Sequence, residues 1–264
     1  MISLKINNNF FQGMSMFVTI LLTILASLII GDILYFLFYE ICRLIEEEES
    51  GNKTKQKKNI FRSYIDFIFK QVKERNKDFF ISYIILDAVT ICFTVFFILH
   101  YGVTIKAFAG LVFCYCLIVL TFIDAKTQYL PDIITKPLII LGLIQGYFEI
   151  FTTLKEAALG AIIGYWSLWI INTTFKIIRK KDGMGQGDFK LLSALGAWVG
   201  YQYLPFIIFS SSFLGIFVAL GLAKFADNKL SAPSPFGPSL AIAGVISLIW
   251  GADIIKWYFS LMQM

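Results

Sequence analysis

Apolar stretches with few or no charges recur along this chain, and several approach or reach the ~20 residues that cross a bilayer as a helix. That recurrence constrains the fold more than any other feature. Of the 264 residues, 58% are hydrophobic and only 16% charged, whereas an ordinary soluble domain is about half apolar and about a quarter charged. The expected class is therefore all-α: a polytopic membrane helical bundle of about eight transmembrane helices with one cytoplasmic loop domain. The spans fall at about 14–39, 79–100, 103–123, 133–150, 157–178, 189–200, 204–223 and 236–255. The sixth is short and carries Gly196 and Gly200, which predicts a broken, tilted or partly inserted segment. The first apolar run is long and has no small-residue cleavage site near its end, so it reads as a retained span rather than a cleaved signal.

Charge fixes the orientation. The one large polar segment, Arg43 to Asp78, holds Glu46 to Glu49 and then a dense run of lysines and arginines, which marks it as cytoplasmic. Alternating the spans from there puts Lys126, Arg179, Lys180, Lys181, Lys224 and Lys229 on the same side, while the opposite loops hold only Lys5, Lys155 and Lys256. Three regions follow: an N-terminal transmembrane helix at 1–42, a basic cytoplasmic loop at 43–78, and a membrane-embedded domain at 79–264. Within the loop, Asn59 to Lys77 mixes Ile and Phe with cations at helical spacing. It reads either as a helix on the anionic leaflet or as a solvated helix packed on the protein.

Several chemistries are excluded. The net charge of +5 is explained by loop placement, and a nucleic-acid binder needs a basic patch on a soluble surface, which most of this chain lacks. The partner implied by composition is the lipid bilayer. The single histidine, His100, and the cysteines Cys42, Cys92, Cys114 and Cys116 show no metal-ligand spacing, so no metal is expected. The three cysteines in apolar segments read as small buried side chains.

What remains is acidic. FIDAKTQYLPD places Asp124 at the end of the third span and Asp132 at the start of the fourth; GMGQGDFK places Asp188 at the start of the sixth. The topology puts both motifs on one membrane face. A carboxylate at the edge of hydrocarbon is expensive and is a functional-site candidate by default. Asp32 and Asp87 also sit in apolar spans but lack such punctuated surroundings, and read as polar contacts between helices. Two neighbouring carboxylates can share a proton: the ionised one draws a proton from water, and the protonated one hydrogen-bonds a carbonyl under attack. That is peptide hydrolysis without a metal or a covalent nucleophile. Gly185 and Gly187 would let the backbone turn tightly and let a substrate or helix come close. Taken alone, GMGQGD is more often only a glycine loop ending in an N-cap aspartate, and LPD is a weaker signal still, a common helix opening.

In combination, FIDAKTQYLPD, GMGQGDFKLLSALGAW and the later PFGP of Pro235 to Pro238 resemble the type IV prepilin peptidases, integral-membrane aspartic proteases of the GxGD kind. The resemblance covers roughly Phe122 to Gly244. It implies Asp124 and Asp188 as the catalytic pair. Leu130, Pro131, Asp132, Gly185, Gly187, Lys190, Pro235, Gly237 and Pro238 would be supporting residues. It also implies cleavage of a basic leader from type IV prepilins or pseudopilins after Gly, at the cytoplasmic face of a prokaryotic inner membrane, in a pilus, secretion or competence system. No cofactor is implied for proteolysis. Many members also methylate the new N-terminus with S-adenosylmethionine, but the corresponding stretch here, Gly31 to Arg43, keeps little of their motif and the zinc-binding cysteine pairs are missing.

Two other readings stay open at this level. One is a presenilin-like intramembrane protease, although Asp124 follows Ile123 and PFGP stands where that group has Pro-Ala-Leu. The other is a cation or proton transporter using intramembrane carboxylates, for which a discontinuous sixth span would be suited.

Overall fold

The computed structural model describes residues 16–49, 77–181, 183–225 and 235–262. Among these are eight α-helices and no strand: α1 (Met16–Glu49), α2 (Lys77–Tyr101), α3 (Ile105–Thr127), α4 (Asp132–Tyr147), α5 (Leu154–Arg179), α6 (Gln186–Val199), α7 (Leu204–Phe225) and α8 (Gly237–Met262). A 3-10 turn, Tyr201–Tyr203, joins α6 to α7. Five of the helices are long and apolar enough to cross a membrane. The chain is an all-α polytopic membrane bundle, as its composition requires. The expected amphipathic helix at 59–77 and most of the basic loop lie outside the described residues.

Helix ends differ from the predicted spans where charged residues continue the helix. α1 runs on to Glu49, so the acidic cluster belongs to a helix end and not to a loop. Arg43 pairs there with Glu40 at 2.5 Å and with Glu47 at 3.5 Å, three and four residues away on the same face. α5 starts with a capping box, in which Thr153 accepts from the Glu156 N–H and Glu156 accepts from the Thr153 N–H.

The contacts divide the chain into two compact units, Met1–Val119 and Leu120–Met264. In the first, α1 packs on α2. The Tyr83 hydroxyl donates to Asp32 Oδ1 at 2.6 Å, and Asp87 is buried against Gly31, where any Cβ would collide with its carboxyl group. Of the cysteines expected to be buried, Cys114 is, Cys116 is half-buried and Cys92 is exposed on the helix surface. In a lipid-facing bundle an exposed position is still apolar, so a thiol there costs nothing in desolvation.

The second unit is built around α6. Its 14 residues make a helix of about 21 Å, short of the ~30 Å hydrocarbon core. It is continuous rather than broken, and it is walled in: Leu191, Leu192, Ala194, Leu195 and Ala197 are wholly buried. A helix buried all round must be apolar all round or satisfy its polar groups; in LLSALGAW the one hydroxyl, on Ser193, donates to the Ala161 carbonyl at 2.9 Å. Close approach comes from small residues. Gly160 of α5 meets Gly196 backbone to backbone, so a Cβ on either would strike the other's carbonyl. One turn on, a Cβ at Gly164 would lie 2.6 Å from the Leu192 carbonyl oxygen. These two glycines form a small-xxx-small interface of the kind that packs membrane helices. On the α4 side, a Cβ at Gly142 would lie 2.7 Å from Ala197 Cβ.

The end of α6 leaves backbone carbonyls that have no partner within the helix. Gln145 of α4 supplies one: its amide donates to the Ala197 and Trp198 carbonyls at 3.2 Å each, while its Oε1 accepts from the Phe151 N–H at 3.0 Å. The Trp198 indole N–H in return donates to the Leu138 carbonyl at 2.9 Å. Gly200, at φ +97°, then turns the chain out of the helix. α6 is thereby fixed lengthwise at its far end, which sets where its first turn stands.

Candidate active site

Asp188 lies in that first turn, as the third residue after the N-cap Gly185. It is 8% exposed. Burial pushes its carboxyl group up to about 7; the nearby Asp124 charge pushes the same way, and the Gly185 N–H opposes both. Asp124 is 4% exposed and sits in the last turn of α3. Its Oδ2 accepts the backbone N–H of Gly237, the first residue of α8, at 2.9 Å. Helix N-termini carry unpaired N–H groups, and the following Pro238 has none to offer. Both aspartates line one cavity of about 240 Å³.

The supporting residues of the two motifs meet as well. Lys190, one turn into α6, pairs with Asp132, the first residue of α4, at 2.5 Å. Lys136 pairs with the other Asp132 oxygen at 2.8 Å. Lys136 first, and Lys190 with it, hold the Asp132 carboxyl below its ordinary range. Leu130 is buried against Gly187: a Cβ there would come within 2.7 Å of Leu130 Cβ. Pro131 caps α4, its carbonyl accepting the Ile134 and Thr135 N–H groups and the Thr135 hydroxyl. Pro235 lies just before α8, and the Phe236 carbonyl accepts the Leu240 N–H inside it.

Gly185 behaves differently from the expectation of a tight glycine turn. Its φ of −70° and ψ of 146° are open to any residue, and a Cβ there would make an ordinary 3.5 Å contact with Asp188 Oδ2. Of the two motif glycines, Gly187 is the one that close approach requires.

Sequence reasoning missed Asn172. This α5 residue accepts the Gly183 N–H at 2.9 Å and the Met184 N–H at 3.1 Å through the same Oδ1, and Phe175 closes over Gly183. Together they pin the loop that leads into Asp188. The available signal was an amide within an otherwise apolar helix face.

The Asp132–Lys190 pair joins the opening turns of α4 and α6, so it braces the two motifs against each other. Asp132→Asn and Lys190→Met should each lower turnover about tenfold, and the double variant should be no worse than either single one. Additive losses in that cycle, measured as kcat/KM on one substrate, would show that the two residues act separately.

An integral-membrane helical bundle carrying a pair of buried carboxylates at the ends of two helices is the class that fold and site define. Residues 111–220 match the type IV leader peptidase family. Among curated proteins, the prepilin leader peptidase/N-methyltransferase of Pseudomonas aeruginosa is 44% identical over 161 residues, covering 61% of this chain and 56% of that protein. The Aeromonas hydrophila protein of the same name is 46% identical over 152 residues, 58% of this chain and 52% of its own length. The one from Legionella pneumophila is 32% identical over 266 residues, covering 89% of this chain and 93% of the relative. The chain thus matches little more than half the length of the first two relatives. No solved structure matches. The chain belongs to the type IV leader peptidase family.

Proposed function

We propose that this chain is an aspartic endopeptidase that removes the leader from type IV prepilins or pseudopilins, after Gly, at the cytoplasmic face of the membrane. The observation that carries the reading is the shared cavity of Asp124 and Asp188, two buried carboxylates in unlike surroundings. In that cavity Asp188 is the member that holds a proton near neutral pH. Asp124, fixed by the Gly237 N–H through one oxygen, takes the proton from water. The water oxygen bonds to the peptide carbonyl carbon while Asp188 gives its proton to the carbonyl oxygen. The tetrahedral intermediate then collapses: the C–N bond breaks, and the leaving nitrogen takes the proton that Asp124 received. The hydroxyl proton returns to Asp188, which restores the pair.

Charge placement supports the cytoplasmic side, because Lys126, Arg179, Lys180 and Lys181 border the two motifs. The transporter reading loses its footing: α6 is unbroken from Gln186 to Val199, and the carboxylates stand at helix ends.

The test is to incubate the purified protein with a prepilin and sequence the product's new N-terminus. A single cut after the leader's Gly is expected. An intact substrate, or a cut within the apolar helix, would reject this function. With S-adenosylmethionine added, the mass of the same product also reports any methyl group.

A further inference from the structure

Neither conformation nor packing requires a glycine at position 185. The φ of −70° and ψ of 146° suit any residue. Gly185 is exposed, and it caps α6 without a side-chain hydrogen bond, where Ser, Thr, Asp or Asn would satisfy one of the free N–H groups. Gly187 differs, since Leu130 fills the place of its side chain. At Gly185 the one atom within 4 Å of an added Cβ would be Asp188 Oδ2, at 3.5 Å. Around that atom the position is open, and Gly185 lines the cavity that holds both aspartates.

The missing side chain therefore leaves room beside the reacting carboxyl group. A carbonyl oxygen that takes a proton from Asp188 must come within about 2.6–3.2 Å of a carboxyl oxygen. A methyl group on Gly185 would stand next to that place and keep other heavy atoms roughly 3.5 Å away from itself. The Gly185 carbonyl accepts the Asp188 N–H at 3.2 Å, which ties the bare Cα to the residue it borders. We propose that Gly185 is a substrate-contacting residue: the backbone at the bond being cut passes directly over its Cα, and any side chain there would obstruct the substrate without disturbing the protein. The inference rests on the peptidase reading above. It also fits a cut after Gly, because two residues without side chains approach more closely than any other pair.

The experiment compares Gly185→Ala and Gly185→Ser with the wild-type protein on one prepilin, reading kcat, KM, the thermal midpoint and the pH at which turnover falls on the alkaline side. Alanine adds a methyl group alone; serine adds a hydroxyl that can cap α6, so its midpoint should stay level or rise. In both variants kcat/KM should fall about tenfold, mainly through KM, as one misfitting group in a close contact requires. The alkaline fall of Gly185→Ala should not move, since its methyl makes only an ordinary contact with Asp188. Wild-type kcat/KM in Gly185→Ala overturns the proposal. So does a shifted alkaline fall in that variant, because position 185 would then act on Asp188 and not on the substrate. A loss of activity that tracks a fall in midpoint in both variants overturns it too, since Gly185 would then serve only the start of α6. A wild-type protein that does not cleave the substrate instead overturns the peptidase reading, and this proposal with it.

Discussion

Asp188→Asn is expected to abolish prepilin cleavage, by about 10³-fold or more, while the protein becomes more stable at pH 8. The loss of activity follows because an amide neither gives nor takes the proton that the pair must pass. Asp124→Asn should be as damaging for the same reason. The gain in stability follows from where Asp188 titrates. In the unfolded chain its carboxyl ionises near ~3.9; in the folded protein burial raises this to about 7. Between those values the folded form keeps a proton that the unfolded form has lost, so stability falls as pH rises through the window. Above about 7 both forms are ionised and the penalty is complete, on the order of 4 kcal/mol. Asn pays no such penalty at any pH. The thermal midpoint of the variant should therefore exceed that of the wild type at pH 8 and approach it near pH 4.5. A variant that cleaves, or one destabilised equally at both pH values, would refute the assignment.

The same titration predicts the alkaline limb of the activity profile. A site that needs Asp188 protonated should lose turnover as pH passes about 7. The limb belongs to the pair, because the neighbouring Asp124 charge contributes to it.

Much of the fold was legible because a bilayer leaves few choices: runs of apolar residues become helices, and each of the eight predicted spans overlaps one. The motifs were legible because punctuation such as LPD and GMGQGD is out of place beside a membrane span. What the sequence left hidden is contact between distant segments. Gly160 and Gly196 look like ordinary membrane-helix glycines until their backbones are seen to touch. Of the three outcomes that the glycines of the short sixth span allowed (broken, tilted or partly inserted), the first does not occur: Gly196 serves packing and only Gly200 turns the chain. Asn172 belongs to no motif and gains meaning only from two N–H groups eleven and twelve residues away. Hydrophobic periodicity says nothing about any of these, since each depends on which helix faces which.

Gly237→Ala is the second large effect, expected to cost about 10²-fold in turnover without loss of the fold. Helix propensity points the other way, since Ala in place of Gly favours a helix by about 1 kcal/mol. The objection is local. A Cβ at Gly237 would lie 2.7 Å from Asp124 Oδ2, 3.0 Å from its Cγ and 3.2 Å from its Cβ. The carboxylate must swing away or the start of α8 must retreat, and either movement breaks the 2.9 Å N–H···O bond. A displacement of about 1 Å at a reacting group is enough for a loss of that size. KM should change little, because Gly237 is absent from the cavity wall. Pro235→Ala, which leaves the Gly237 N–H in place, should stay close to wild-type turnover. Wild-type turnover in Gly237→Ala would mean that the helix N-terminus does not hold Asp124 in its working position. A lowered thermal midpoint alongside lowered turnover would place the fault in the fold, so both are measured on the same preparation.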